Sequence, residues 1–453
     1  MHRNRVPVTT KLQRIAEKAR RDPCCKFTSL FHLMNKDLLR ECFAQLRGNA
    51  AVGIDQVTKG EYGEKLEENL TLLVKKLHQM SYIPVPVRRV YIPKPGSSKQ
   101  RPLGIPALED KLVQAGLSRI LAAIYEQDFI EDSYGFRPGR GCHDALRALC
   151  LEVETKRVNH IVEADIKGFF DNVDHEWMLR FLGHRVVDKR VLRYIKRFLQ
   201  AGVMEDGEVR RSEEGTPQGG VISPILANIY LHYTLDLWYE RKFRKTCYGN
   251  TRMIRYADDW VTCFQREDEA IRFRQELEGR LAKFGLEVAP EKTKVLEFGP
   301  HAESRAKRRG VKLQTFDFLG FTHYIGRSKK GNRFRMKRVT SRKKYVVKVR
   351  VFKDWLKANR TLPTRELMEK VARKLRGHFA YYGVTDNSRG IMRFALDISK
   401  LLFKWLNRRG GRGRMSWEKY MLFLRKFPLP KPRIMVNLFA SPRSVLMRSR
   451  VRK

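Results

Sequence analysis

Apolar and polar positions along this chain of 453 residues repeat at two periods. A spacing near 3.6 predicts helices over 11–21, 29–45, 65–80, 109–127, 143–155 and 267–284. In 109–127 the apolar face is Leu112, Leu117, Ile120, Leu121 and Ile124. Residues 174–200 read as one helical stretch, and 221–239 as a long helix that tolerates Pro224 only near its first turn. Short apolar runs bounded by turn residues predict strands at 88–93 and 101–105, joined by a turn over Lys94–Lys99. Further strands are expected at 160–164, on both sides of Asp258-Asp259 within 253–264, at 294–298 and at 316–321. Beyond about residue 345 the pattern is mostly helical, with breaks at 361–364, 383–390, 410–413 and 428–432. Strands alternate with helices over the first 320 residues and no repeat is apparent, which predicts an α+β or α/β layer followed by a helical third.

Charge changes this picture more than composition does. The chain holds 93 Lys and Arg against 49 Asp and Glu, a formal +44, which suits a long polyanion better than a small neutral metabolite. Residues 301–453 carry net +35 and residues 1–300 only +9. In the last third the cations are interleaved with Phe352, Trp355, Phe379, Tyr381, Tyr382 and Trp405, so folded helices with a cationic face for nucleic acid are expected there. Seven cysteines with no C-x-x-C pair, none beyond Cys263, argue against a disulfide scaffold or a cysteine-rich zinc module and fit a reducing compartment. No apolar run reaches 18 residues and no apolar stretch follows the basic N-terminus, so neither a membrane span nor a secretory signal is expected.

The candidate chemistry lies in the carboxylates. Asp165 ends an apolar strand, and Asp258 and Asp259 sit between two others. Adjacent acids at the tip of a buried hairpin repel one another unless a cation is held there. Two divalent ions need bridging carboxylates, one ion activating a hydroxyl and the other neutralising a leaving oxygen.

Tyr256-Ala257-Asp258-Asp259 resembles the catalytic box of reverse transcriptases, and the segments from Gly53 to about Pro432 resemble the reverse transcriptase/maturases encoded in bacterial group II introns. The resemblance implies a right-hand polymerase fold, with an N-terminal extension and fingers over 1–160, a palm over 161–320, a thumb or maturase domain over 321–395 and a basic DNA-binding segment over 396–453. It implies that Asp165, Asp258 and Asp259 bind two Mg2+ ions, with Mn2+ as a substitute. The Ile166 carbonyl is an added ligand and Asp259 the more peripheral of its pair. Phe170 matches the steric gate under the incoming sugar. Lys94 and Arg101 match the triphosphate grip, and Gln218 and Lys292 also match nucleotide-side positions. Gly219 and Gly220 fall in the loop Gly215-Thr216-Pro217-Gln218-Gly219-Gly220, beside the nascent pair. Arg137 and Arg140 match a segment near template or nucleotide, and Leu319 and Gly320 match the primer grip. Arg376, Tyr381 and Tyr382 fall in Leu375–Gly383, which resembles the maturase-specific thumb motif. His143, His175 and His378 read as structural or RNA-facing rather than catalytic.

The partners so implied are intron RNA, an RNA template with a DNA or RNA primer, target DNA and deoxynucleoside triphosphates. No membrane is implied, a homodimer stays open, and the setting is bacterial cytoplasm with nucleoid or ribonucleoprotein association. Many relatives end in a zinc-dependent nuclease of paired cysteines and histidines; the ending Arg450-Val451-Arg452-Lys453 departs from that, and no nuclease is expected. Three other readings stay open: a polymerase domesticated for repair or defence, a splicing cofactor whose polymerase is dead, and an RNA chaperone.

Overall fold

The computed structural model describes residues 8–93, 100–205, 208–210, 215, 219–328, 331–409 and 415–439. Along these residues the strands are β1 (Val87–Pro93), β2 (Gln100–Ile105), β3 (His160–Asp165), β4 (Val203–Glu205), β5 (Glu208–Arg210), β6 (Thr251–Tyr256), β7 (Asp259–Phe264), β8 (Lys294–Glu297), β9 (Phe316–Phe318), β10 (Phe321–Arg327) and β11 (Phe334–Thr340). They form three sheets, ordered β2-β1-β4-β5, β6-β7-β3-β8 and β11-β10-β9. The first is mixed, because β4 joins β1 in parallel through Val87 and Val203; the other two are antiparallel. Helices pack around the sheets and fill the last third as Arg342–Ala358, Thr364–Tyr382, Ser388–Leu406 and Trp417–Lys426. The expected α+β class is what the chain adopts.

The central sheet positions the site, and its side-chain alternation explains why. Successive strand residues point to opposite faces, and here both faces are covered. Val162, Met253 and Trp260 join a core with the helices Leu108–Tyr125, Ser223–Leu231 and Glu267–Ala282. Their neighbours Ile161, Ile254 and Val261 join a second core with the helix Cys142–Thr155, Phe316, Met336, Phe352 and Leu375. A one-residue slip would exchange the two sets, so register is fixed from both sides.

Several expectations need correction. The stretch 174–200 is two helices, His175–Leu182 and Lys189–Leu199. The first ends at Gly183, and Asp188 starts the second by accepting from the N–H groups of Arg190 and Val191. The stretch 29–45 begins as a 3-10 turn at Phe31–Leu33, and its α-helix starts only at Lys36, where the Asn35 side chain accepts from Leu38 N–H at 3.0 Å. The expected strand 316–321 is β9 and the start of β10, parted by a turn at Leu319 and Gly320 with φ of +50° and +79°. The helix Ala302–Arg309 and the pairs β4/β5 and β10/β11 had no counterpart in the pattern reading. The expected turn Lys94–Lys99 lies outside the described residues. Among the described residues no helix is long and apolar enough to cross a membrane.

Candidate active site

Asp165 is the last residue of β3 and the Cα partner of Asp259, the first residue of β7. Asp259 also pairs with Tyr256 across a hairpin whose two linking residues are Ala257 and Asp258. By the two-residue period, Glu163, Asp165 and Asp259 share one sheet face with Ile161 and Val261. Burial raises the pKa of Asp259, and the neighbouring charges of Asp258, Asp165 and Glu163 add to it, reaching about 7. The Leu319 backbone N–H works the other way. Asp258 is also raised, first by burial and then by Asp165, with Arg101 opposing. Glu163 rises to about 7 through burial and the charge of Asp317 on β9.

The turn is braced from behind. Arg255 has no exposed side-chain surface and donates from Nε to Asp236 Oδ1 at 2.7 Å, from Nη1 to Asn228 Oδ1 at 3.1 Å and from Nη1 to the Ala257 carbonyl at 2.9 Å. Asn228 Nδ2 in turn donates to the Gly135 carbonyl at 2.8 Å. Gly135 lies flat on the hairpin: a Cβ there would meet Ala257 N at 2.2 Å, so only glycine fits. Ala257 itself has φ +57°.

On the other flank, Ala289 N–H donates to the Asp165 carbonyl at 2.8 Å and Lys167 N–H to the Glu287 carbonyl at 2.9 Å, with Ile166 bridged to Val288 between them. This pairing brings Lys292 to the site, where its ammonium donates to Asp165 Oδ2, a bond that raises the Lys292 pKa. Among the described residues no three His, Cys, Asp or Glu side chains converge closely enough to hold a metal ion, and Asp165 is engaged by Lys292. The donor set still suits one in kind: these are hard carboxylate oxygens, as Mg2+ takes, and the burial and then the mutual repulsion that raise Asp258 and Asp259 are both costs that a cation would offset.

The remaining expected residues fall into three groups. Those near the carboxylates include Arg101, exposed on β2 and felt by Asp258, and half-buried Phe170, whose ring meets Phe169 edge-on at 5.2 Å. The loop base Gly215 (φ +88°) packs on the Phe170 and Asp171 carbonyls. Gly219 (φ +113°) lies against β2, where a Cβ would stand 2.5 Å from the Gly104 carbonyl oxygen, and Gly220 is buried. The backbone of Leu319 reaches Asp259, and the Gly320 carbonyl accepts from Ser341 N–H at 3.0 Å.

A second group is corrected. Arg137, expected at template or nucleotide, is buried: Nε bonds Glu126 at 2.9 Å and Nη1 the carbonyls of Ile130 and Ser133. Its guanidinium braces its own loop. Tyr382, expected at RNA, is buried with its hydroxyl under Gly320, and half-buried Tyr381 donates to the Leu319 carbonyl at 2.9 Å. Both support the turn from within. Arg140 is half-exposed, bonded to the Glu131 carbonyl and set over the Tyr134 ring, and Arg376 is exposed on its helix.

The third group, Lys94 and Gln218, lies outside the described residues. Of the histidines, His143 and His175 bond the carbonyls of Tyr381 and Gly215, and His378 stacks on Phe394 at 3.6 Å. Sequence reading missed Glu163, Gly135 and the Arg255–Asp236 pair. Glu163 was open to discovery, since two residues before Asp165 on a strand means the same face; nothing local marks Arg255 as buried.

Comparison with known proteins agrees with this geometry. The family described as reverse transcriptase (RNA-dependent DNA polymerase) matches residues 92–323. The group II intron-encoded protein LtrA of Lactococcus lactis subsp. cremoris is 38% identical over 227 residues, which is 50% of this chain and 38% of that protein. Protein YkfC of Escherichia coli (strain K12) is 34% identical over 327 residues, covering 64% of this chain and 84% of that protein. Nuclear intron maturase 2, mitochondrial, of Arabidopsis thaliana is 27% identical over 178 residues, 30% of this chain and 24% of that protein. The chain thus spans well under half the length of LtrA.

Proposed function

Because the chain belongs to the reverse transcriptase (RNA-dependent DNA polymerase) family, we propose that it extends a DNA or RNA primer on an RNA template and also binds intron RNA as a maturase, serving splicing and target-primed retrotransposition. The observation that carries this is the pairing of Asp165 with Asp259 across adjacent strands, with Asp258 in the turn between. Family membership implies dependence on a divalent metal; two Mg2+ ions are the proposal here, Mn2+ substituting. Held by Asp165, Asp258, Asp259 and the Ile166 carbonyl, such ions would activate the primer 3′-hydroxyl and neutralise the leaving pyrophosphate.

The chain's own residues set the stage. Asp165 must release Lys292, whose freed ammonium is then available to phosphate oxygens. Phe170 would exclude a 2′-hydroxyl by its bulk. Arg101, with Lys94, would grip the triphosphate, as guanidinium and ammonium suit phosphate. Gln218, Gly219 and Gly220 would lie along the nascent pair, and Leu319 and Gly320 along the primer. Residues 1–160 would be extension and fingers, 161–320 mainly palm, 321–395 thumb, with Arg376 among its RNA contacts, and 396–453 the DNA-binding segment. The net +35 of residues 301–453 supports a grip on nucleic-acid backbones there. A cytoplasmic ribonucleoprotein is the setting this reading implies.

The test is primer extension on RNA with deoxynucleotides and Mg2+, alongside Asp258→Ala/Asp259→Ala, with binding to structured RNA measured for both proteins. Native extension, with a variant that binds and does not polymerise, is the expected result. Native protein that binds structured RNA tightly and extends nothing would make it a splicing cofactor in a polymerase fold and end the polymerase reading.

A further inference from the structure

Among the described residues, seven that are not glycine have a left-handed backbone; Ala257 and Leu319 adjoin the paired carboxylates, and Phe136 follows Gly135, which packs on Ala257. Ala257 and Leu319 are the bends of two tight turns. Phe136 is different: an aromatic residue with φ +58° and 52% of its surface exposed. A bulky side chain is disfavoured in that backbone region, and an exposed phenyl ring contributes little to folding. Neither property serves the core.

The backbone on both sides of it is fixed. Gly135 lies on the Ala257 amide and its carbonyl is held by Asn228, while the Arg137 side chain is buried and bonded to Glu126, Ile130 and Ser133. Tyr134 N–H, just upstream, donates to the Arg255 carbonyl at 2.8 Å. Phe136 is thus held beside the hairpin that carries Asp258, between two fixed residues and half exposed. Strain maintained by its surroundings at such a place is a sign of function.

We propose that Phe136 is a positioning residue for the substrate duplex, its ring packing against the sugar and base face of the primer–template close to the end being extended. This rests on the polymerase reading above. The occupant follows from place and chemistry. The duplex end must come to the Asp258 turn, and a phenyl ring without hydrogen-bonding groups can hold any base pair equally. Half-exposed Arg140, four residues on in the same loop, supplies a cation for the adjoining backbone phosphate.

The test compares Phe136→Gly and Phe136→Tyr with the native full chain. Glycine relieves the backbone strain, so its thermal midpoint should equal or exceed the native one. Its dissociation constant for a primer–template duplex, and the KM for that duplex, should rise about tenfold, the order of one lost stacking contact. Extension at saturating duplex should stay within about twofold, since no reacting group is touched. Tyrosine should restore affinity. A glycine variant that binds duplex like the native protein overturns the proposal, and so does one whose midpoint falls while its affinity is unchanged. Native protein that binds duplex but never extends it would instead sink the polymerase reading, because binding is read separately.

Discussion

Two tight turns meet at the carboxylates, and they are held in place by opposite means. The Ala257 and Asp258 turn joins β6 to β7, and the Leu319 and Gly320 turn joins β9 to β10; each places a residue that is not glycine at positive φ. The first is braced by a fully buried ion pair, Arg255 with Asp236, which reaches the Ala257 carbonyl. The second is braced by a neutral hydroxyl, Tyr381 to the Leu319 carbonyl, with Tyr382 packed beneath. Removing one side of a buried ion pair strands a charge, whereas removing a neutral bond does not. The turn carrying two aspartates is therefore the costlier one to unbrace.

The sharpest way to break this contrast is Arg255→Met. It leaves Asp236 buried and unpaired, and a loss of about 3–5 kcal/mol is expected in urea unfolding. The double variant Arg255→Met/Asp236→Leu should recover most of that stability without recovering activity. Next comes Gly135→Ala, whose new methyl would collide with the Ala257 amide. A small displacement of the turn should lower primer extension about 100-fold with the protein still folded by circular dichroism. Tyr381→Phe, acting on the other turn, should cost only about 1 kcal/mol. Should it cost as much as Arg255→Met, the contrast between the braces is wrong.

A separate test is a pH dependence beside the second turn. Burial lowers the His378 pKa from 6.5 to about 3, so the unfolded chain binds a proton that the folded chain refuses. Its stabilising contribution is complete above pH 6.5 and declines as pH falls toward 3. Urea midpoints at pH 7 and pH 5 should differ less in His378→Phe than in the native protein. An equal difference would show that His378 does not carry it.

The sequence made some of this legible for physical reasons. Apolar flanks at Met253-Ile254 and Val261 marked a buried hairpin around Asp258-Asp259, and the Asp165 strand end was visible in the same way. Arg137 and Tyr382 were assigned outward because a motif names a residue without saying which way it faces. Burial of a guanidinium depends on carbonyls such as those of Ile130 and Ser133, which the fold supplies. The break at Leu319 was legible only through the motif resemblance, which puts a turn at Phe318-Leu319-Gly320, because leucine itself gives no sign of a left-handed bend. Strand β10 carries only Arg327, at its end, whereas β11 was hidden by its cations. Arg338 is wholly buried in the second, where a charge pattern would place it in water.

The two-sided packing of the central sheet has a consequence for how such a protein can be divided. Ile161, Ile254 and Val261 lie in one core with Phe316, Met336, Phe352 and Leu375. A cut near residue 300 separates the central sheet from Phe316, Met336, Phe352 and Leu375, and it leaves one wall of that sheet bare. The core on the other face lies wholly before that cut, so only the shared core is divided by it. Exchange between relatives should succeed at surface loops and fail at that seam.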